Sequence, residues 1–269
     1  MKKILITLLG LAAASLAGVN AQALLFTQNF TSSVTVADYA SGTPSIGQWN
    51  AISSANATLK AWTINSNSLQ ITSTGGSTAA ATRTTDFSPV PTALNMSMNF
   101  NLVSSSTAIT QGLLFSFGNS FTTSNGDPTT SLINTRFAIG TTTSNQWFIR
   151  DIGGGVSSGN FTGSQAINLF TNSSGNTISY TAPNSSSTEL ATGKWDIWVG
   201  TTAVFTDRNT NNSTASLSDF KISNPGSGNY VAQMTDFAIT QAIPEPTTWA
   251  LIGLGGAFVL WRLRRKGNA

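Results

Sequence analysis

A stretch of nine residues near the middle of the sequence alternates between apolar and polar side chains. The apolar positions are Leu94, Met96, Met98, Phe100 and Leu102, and the polar positions are Asn95, Ser97, Asn99 and Asn101. Successive side chains of a β-strand point to opposite faces of a sheet. This period of two therefore predicts a strand with one face on a core and the other toward solvent.

Shorter runs that are rich in β-branched or aromatic residues predict further strands. They cover residues 68–72, 113–117, 136–140, 147–152, 177–181, 194–199, 217–222 and 236–240. Turn-forming clusters such as Asn125-Gly126-Asp127-Pro128 lie between them, and no comparable helical period appears. Many short strands with polar turns predict an all-β fold, an antiparallel β-sandwich. Sandwiches of about 200 to 250 residues commonly form one domain, so we expect a single sandwich over residues 24–241, here called the passenger.

Cysteine and histidine are both absent from the 269 residues. Their absence removes disulfides, thiolate nucleophiles, imidazole bases and the usual ligands of zinc and copper. A secreted chain without disulfides must draw its stability from a large sheet core, which this length permits.

The first 23 residues have the order of a secretion signal. Lys2 and Lys3 precede an apolar run over residues 4–16, and small residues follow, with Ala21-Gln22-Ala23 as an A-x-A cleavage site. We expect a signal peptide over residues 1–23 that is cleaved after Ala23, with cleavage after Ala21 as the second choice. A buried N-terminal helix is the structural alternative.

The basic residues that give the chain its pI of about 9.5 are concentrated at its two ends. Between the terminal clusters lie seven basic and ten acidic residues, a net charge of −3. A nucleic-acid partner therefore has no electrostatic basis.

Several apolar motifs of the passenger resemble those of concanavalin A-like (laminin G-like) domains. They are Leu25-Phe26 with Phe30, Trp62-Thr63-Ile64-Asn65, Trp195-Asp196-Ile197-Trp198-Val199-Gly200 and Thr235-Asp236-Phe237-Ala238-Ile239-Thr240. The resemblance covers most of residues 24–241 and implies a jelly-roll sandwich.

The last 28 residues, 242–269, differ in composition from the passenger. Pro244-Glu245-Pro246 is followed by an apolar stretch, which Trp249 and Trp261 bracket, and then by a basic cluster of Arg262, Arg264, Arg265 and Lys266. The two prolines end any strand or helix. Residues 247–263 predict a transmembrane helix of about 25 Å, and the basic end at 262–266 is expected to stay cytoplasmic.

In order, spacing and position this tail resembles the PEP-CTERM sorting signal. The family implies that exosortase, a membrane peptidase, reads Pro244, Glu245 and Pro246 and processes the tail. A simple membrane anchor is the alternative. The resemblance implies a protein exported by a Gram-negative bacterium, held briefly in the inner membrane by the helix and then placed at the cell surface or in the extracellular matrix.

Glycoside hydrolysis needs two positioned carboxylates. The passenger has one glutamate, Glu189, and its aspartates form no close pair in sequence. Strand-edge or turn roles are favoured for these aspartates, so we expect the protein not to be an enzyme. A carboxylate pair that only folding brings together cannot be recognised from the sequence.

No metal or cofactor is expected. Calcium bound by Asn125 and Asp127, or by Asp207 and Asn209, is the alternative, although neither spacing matches an EF-hand.

Trp198 is the tryptophan selected for stacking on a sugar ring. In residues 194–199 the period of two places Trp195, Ile197 and Val199 on one face and Trp198 on the other with Asp196. A second packed layer over Trp198 is the structural alternative.

Three functions remain open at this level. The leading hypothesis is a noncatalytic surface or matrix protein associated with exopolysaccharide or biofilm. The second is a carbohydrate-binding, lectin-like module, and the third is a polysaccharide-degrading enzyme that uses aspartates.

Overall fold

The computed structural model describes residues 22–242. Residues 1–21 of the predicted signal peptide, the sorting motif Pro244-Glu245-Pro246, the predicted helix over 247–263 and the basic cluster lie outside the described residues. Within residues 22–242, no helix is long and apolar enough to cross a membrane.

The described chain forms strands joined by loops and two short 3-10 helices, Val36–Tyr39 and Thr130–Leu132. The strands are β1 (Leu24–Gln28), β2 (Ala51–Ser54), β3 (Lys60–Asn65), β4 (Ser68–Gly75), β5 (Ala79–Arg83), β6 (Ala93–Ser105), β7 (Ile109–Gly118), β8 (Ile133–Thr141), β9 (Trp147–Asp151), β10 (Val156–Ser157), β11 (Ser164–Asn172), β12 (Ile178–Thr181), β13 (Ser187–Leu190), β14 (Lys194–Val199), β15 (Thr202–Asn209), β16 (Asp219–Asn224) and β17 (Gly228–Gln241).

Two antiparallel sheets carry the fold. The eight-stranded sheet has the order β15-β14-β11-β6-β17-β4-β3, with β1 also paired to β17, and the seven-stranded sheet has the order β10-β9-β8-β7-β16-β5-β2. One continuous core contains the inward side chains of both sheets, including Met96 and Leu169 from the first and Phe115 and Ile222 from the second. The prediction of an antiparallel all-β sandwich is confirmed, because shared burial of two inner faces defines that architecture.

The strand that the sequence marked most clearly is β6, at the centre of the eight-stranded sheet between β11 and β17. Leu94, Met96, Met98, Phe100 and Leu102 are buried in the core, and the four alternating polar residues are half-buried on the other face. Hydrogen bonding on both sides and packing on one face explain why the period of two is so regular here.

The eight shorter predicted strands are also present, with boundaries shifted by at most four residues except in β17, which begins at Gly228, eight residues before the predicted run. The central strand β11 was not predicted. Its burial changes along its length, from exposed at Ser164 to buried on both faces after Phe170, so it lacks a sustained alternation. Strand β5 was missed because its alanines carry little hydrophobic signal, yet Ala79 and Ala81 are fully buried.

An ion pair connects the edges of the two sheets. Arg208 on β15 donates to Asp151 on β9 from Nε at 2.7 Å and from Nη2 at 2.6 Å. The Asp151 side chain is 4% exposed and also accepts the Gly154 backbone N–H at 3.0 Å. Both Arg208 nitrogens contact the same oxygen, Asp151 Oδ2, and the contact connects β15 to β9, which belong to different sheets.

Candidate functional site

Trp198 lies on the face of the eight-stranded sheet that points away from the core. Trp195, Ile197 and Val199 on the same strand are in the core, as the alternation predicted. Trp198 itself is only 5% exposed. The outward face of β14 is therefore covered rather than open to solvent.

The cover is the β12–β13 hairpin, which forms a small sheet of its own. Trp198 belongs to a second buried cluster with Phe170, Ile178, Tyr180 and Leu190, among others. The rings of Phe170 and Tyr180 stack with their centroids 3.8 Å apart. This is the second packed layer that the sequence left as the alternative, and sugar stacking on Trp198 would require the hairpin to move away.

A chain of hydrogen bonds runs beneath the hairpin. Trp198 Nε1 donates to the Tyr180 hydroxyl at 3.1 Å, and that hydroxyl donates to Asp196 Oδ2 at 2.5 Å. Asp196 Oδ1 accepts the Asp207 backbone N–H at 2.7 Å. Burial raises the pKa of Asp196, and burial together with the bond to Asp196 raises the pKa of Tyr180. All members of the chain are paired, which indicates a structural network that fixes the hairpin.

On the opposite side of the molecule, alternate residues of β16 hold the loop between β7 and β8. Asp219 Oδ2 accepts the Phe121 backbone N–H at 2.7 Å. Lys221 Nζ donates to the carbonyl oxygens of Thr122 at 3.2 Å and Ser124 at 2.6 Å. The Ser223 hydroxyl donates to Asp127. The loop therefore lies over the outer face of the seven-stranded sheet.

Folding does bring two carboxyl groups together, Asp86 and Asp219. Burial is the main cause that raises the pKa of Asp219 to about 6; Asp86 acts in the same direction, and hydrogen bonds from Phe121 and Ser218 act against the shift. Asp219 is 1% exposed, and donors of the protein already engage both of its oxygens. Asp219 thus anchors a loop, and its burial keeps a glycosidic bond from reaching it.

The two candidate calcium positions use their oxygens within the protein. Asn125 hydrogen-bonds the Ser53 hydroxyl at 2.6 Å, and Asp127 accepts from Ser223. Asn209 Oδ1 accepts from Lys194 at 2.8 Å, and Asp207 lies in a bulge of β15 with a φ of 53°. Among residues 22–242 there is no group of three or more acidic side chains that could hold a metal.

A groove of about 250 Å³ lies over the ends of β4, β6 and β17. More of its lining surface is apolar than polar, and its lining residues include Tyr230 and Val231 together with the neutral polar residues Thr72, Thr74, Ser104, Ser106, Asn145 and Asn229. Nothing in the sequence marked these residues, because they come from three strands and one loop that only the register brings together. Neutral donors and acceptors of this kind suit a neutral hydroxylated ligand.

Of the predicted processing residues, only Ala23 falls inside the described chain. Its carbonyl oxygen accepts the Gln241 backbone N–H at 2.9 Å, and the Ala242 N–H donates to the Ala93 carbonyl, also at 2.9 Å. The pairing of the first strand, β1, with the last strand, β17, is thus extended by one hydrogen bond immediately before the tail.

Several solved structures are similar to the chain. They include a Bacillus subtilis protein of unknown function with a galectin-like fold (9% identity, 83% of this chain and 98% of that chain covered, TM-score 0.47). The carbohydrate recognition domains of Emp47p (9% identity, 84% and 100% covered, TM-score 0.49) and of potassium-bound Emp46p (10% identity, 82% and 97% covered, TM-score 0.48) are also among them. A comparison with curated proteins finds no match.

The tail matches a known family. The family described as the PEP-CTERM protein-sorting motif aligns with residues 242–266. The match includes Pro244-Glu245-Pro246 and the basic cluster at 262–266, so the resemblance stated from the sequence is confirmed. The chain carries an antiparallel β-sandwich followed by a PEP-CTERM protein-sorting motif at residues 242–266.

Proposed function

We propose that this chain is a noncatalytic surface or extracellular-matrix protein that is exported, processed at its tail by exosortase and associated with exopolysaccharide or biofilm. The observation that carries the proposal is the sorting motif at residues 242–266. Such a motif indicates an exosortase-sorted surface protein, and it implies export with transient membrane anchoring.

The position of the motif relative to the sandwich supports processing. The last strand, β17, ends at Gln241, and Pro244 follows three residues later. Proline has no N–H with which to extend a ladder. A peptidase could therefore reach the motif without unfolding the passenger, and a single cut would release a folded domain.

The intact mass of the protein from its native host tests this proposal. We expect the mature wild type to begin near Leu24 and to end near Pro244-Glu245-Pro246. We expect Glu245→Ala to remain uncut and in the membrane fraction, because the recognised motif is changed while the apolar stretch is intact. Glu189→Ala is the matched control, since it removes the same charge from an exposed position on β13 and should be processed normally.

If the tail is a simple membrane anchor, the wild type and Glu245→Ala should have the same uncut C-terminus. Membrane insertion depends on the apolar stretch and the arginines, so under that alternative Glu245→Ala changes nothing. A wild-type chain that retains all residues to Ala269 would reject processing and favour permanent anchoring.

The noncatalytic part of the proposal is supported by the chemistry that the sequence lacks and by the burial of Asp219. We expect no release of reducing sugar from polysaccharides incubated with the protein. Asp219→Asn is the decisive variant, because Asp219 has the raised pKa that an acid catalyst needs. Sustained sugar release that Asp219→Asn abolishes would overturn the proposal in favour of a hydrolase.

Carbohydrate binding is a second candidate function, and the hydroxyl-lined groove is the observation that favours it. If the groove binds a neutral glycan, Asn229→Ala should weaken binding on a glycan array by about tenfold, the effect of one lost polar contact of roughly 1.4 kcal/mol. Glu189→Ala, outside the groove, should leave binding unchanged. An array without any signal would remove this candidate and leave the sorting proposal intact.

A further inference from the structure

The outer face of the seven-stranded sheet carries a row of four polar side chains that the proposed function does not use. They are Arg136 on β8, Ser116 on β7, Lys221 on β16 and Thr82 on β5. Ser116 is opposite both Arg136 and Lys221, and Thr82 is opposite Lys221. The Cβ atoms of opposite residues are about 4.5 to 5.5 Å apart, so these four residues, here called the Arg136 row, are continuous neighbours.

The Arg136 row points away from the core. The residues next to Ser116 along β7, Phe115 and Phe117, belong to the core, as does Phe137 beside Arg136. Since side chains alternate along a strand, Ser116 and Arg136 face the other side of the sheet. There the loop that β16 holds partly covers them, and Arg136 stays half-exposed.

Three donors in this row have no acceptor. The Ser116 hydroxyl, the Thr82 hydroxyl and Arg136 Nε are buried and make no hydrogen bond within the described residues. Ser116 is 1% exposed and Thr82 is fully buried. Buried polar groups in folded proteins are nearly always paired, and Arg136 Nε can only donate. The four residues lie on four successive strands, so the unpaired donors form a row about 14 Å long. Ser116 and Arg136 at one end are direct neighbours, and a ligand there would supply the missing acceptors.

The charge of the surroundings favours an anionic acceptor. Lys221 is bonded only to two neutral carbonyl oxygens. Burial lowers the pKa of both Lys221 and Arg136, and the carboxylate of Asp127 acts against that shift. Of the carboxylates near this face, Asp127 already accepts a hydrogen bond from Ser223 and Asp219 accepts from Phe121 and Ser218, while Asp86 lies beside Asp219.

A further cation stands beside the row. Arg150 on β9 is opposite Ala138, which is two residues from Arg136 on the same face of β8. Its Nε is also buried without a partner among the described residues. Two guanidinium groups therefore flank the half-exposed end of the row, where a ligand could enter from solvent.

We propose that the Arg136 row binds an oxyanion group, a carboxylate or a sulfate-like ion, that the half-exposed Arg136 contacts directly and that reaches the buried Ser116 hydroxyl when the covering loop moves aside. A guanidinium presents parallel N–H groups that match the two oxygens of such a group. Ser116 adds a donor on the neighbouring strand. Lys221 and Thr82 lie farther along the row and are buried. Arg150 adds positive charge beside the half-exposed end of the row.

The oxyanion has two possible sources, a free small ion or the carboxylates of an acidic polysaccharide. The second source rests on the proposed function. Residues 22–242 contain seven basic and nine acidic residues, so the passenger as a whole does not attract a polyanion. Attraction would have to be local, and the Arg136 row with Arg150 provides three cations on one face.

Titration calorimetry of the full chain in a non-ionic detergent, at constant ionic strength, tests the site. The probes are sulfate, free glucuronate, a short polyuronate and a neutral glucose oligomer of the same length. We expect saturable binding of at least one anionic probe and none of the neutral oligomer. Arg136→Gln should weaken binding by about tenfold or more, as expected for one charged hydrogen bond, and Ser116→Ala by about threefold to tenfold.

Lys194→Gln is the matched control. It also removes one positive charge, but Lys194 lies on β14 of the other sheet and bonds only the Asn209 side chain. Its binding should equal that of the wild type. Binding of polyuronate assigns the source to an acidic polysaccharide, and binding of sulfate or glucuronate alone assigns it to a free ion.

Absence of saturable binding by every anionic probe, or an equal loss in Lys194→Gln, would overturn the proposal. Ser116→Ala keeps the test decisive if Arg136→Gln fails to fold, since it removes one hydroxyl from a strand interior. Tail processing is measured separately by intact mass, so failure of this site and failure of the sorting proposal are distinguishable.

Discussion

A buried lysine shows how single residues hold this sandwich together. Lys60 on β3 has no exposed surface, and its ammonium group donates to the carbonyl and the side-chain oxygen of Asn224, each at 2.7 Å, and to the Gly226 carbonyl. It thereby connects an edge of the eight-stranded sheet to the end of β16 in the other sheet. Burial lowers its pKa to about 8, although Asp127 acts against the shift.

This lowered pKa predicts that the protein gains stability in mildly alkaline solution. Burial also lowers the pKa of Lys221 to about 8, whereas the ordinary lysine value is 10.5. Between these values the unfolded chain binds more protons than the folded chain, so the free energy of unfolding rises with pH. The contribution is at most about 1.4 kcal/mol per pH unit for each lysine.

Chemical denaturation at pH 8.0, 8.75 and 9.5 measures the effect. Lys60→Met should reduce the slope of the unfolding free energy against pH, while Lys194→Met should leave it unchanged. A wild-type stability that falls over this range would contradict the prediction.

The burial of Trp198 leads to a second prediction at the scale of a residue. Trp198→Ala should lower the free energy of unfolding by about 3 kcal/mol, the lower end of the range for truncation of a buried aromatic residue, since the cluster beneath the hairpin is small. Trp198→Phe keeps most of the packing and loses the bond to Tyr180, so it should cost about 1 kcal/mol. A Trp198→Ala variant with unchanged stability would place the indole at the surface and restore it as a candidate for sugar stacking.

At the scale of the element, the sequence patterns predicted nine of the 17 strands but not what covers them. The alternation in β14 correctly separated Trp195 from Trp198. The sequence could not decide whether the outward face met solvent or protein, because the β12–β13 hairpin that covers it is a separate sheet. Strand β11 was missed for a related reason: its second half is covered on both faces, so the alternation of its first half is not sustained.

The contact between Arg208 and Asp151 gives a prediction at the same scale. Asp151→Asn should lower the free energy of unfolding by about 1 to 3 kcal/mol, less than a fully buried pair would cost, because the Arg208 side chain is 32% exposed. A double-mutant cycle with Arg208→Gln measures the coupling between the two residues, and Arg150→Gln, which makes no ion pair among residues 22–242, is the control. A coupling energy near zero would show that this ion pair contributes nothing to the connection between the two sheets.

For the whole molecule, the sequence predicted the all-β class and the tail but not the sites on the sandwich. Class and tail follow from local patterns, alternation and a contiguous motif. The groove and the Arg136 row combine residues far apart in the chain, such as Thr82 and Lys221 or Thr74 and Asn229. Their adjacency is a property of strand register, which a single sequence does not reveal.

The last prediction is that residues 24–241 fold without the segments on either side. Strand β1 pairs with the C-terminal half of β17, and β17 also pairs with β6 and β4 at the centre of the sheet. The ends of the passenger are therefore fixed within its own sheet, and among residues 22–242 the continuous core includes no residue before Leu25 or after Ile239. We expect a soluble domain with the circular dichroism of β-sheet and one cooperative unfolding transition.

A second version that begins at Gln22 refines the test. It retains the Ala23 carbonyl, which accepts the Gln241 N–H, so it should be more stable than the version beginning at Leu24 by about 1 kcal/mol or less, the value of one exposed backbone hydrogen bond. Strong helical minima, or a chain that aggregates in both versions while the full protein remains folded, would mean that the sandwich depends on the flanking segments. Equal stability of the two versions would place the end of the essential fold at Leu24, where signal cleavage after Ala23 would leave it.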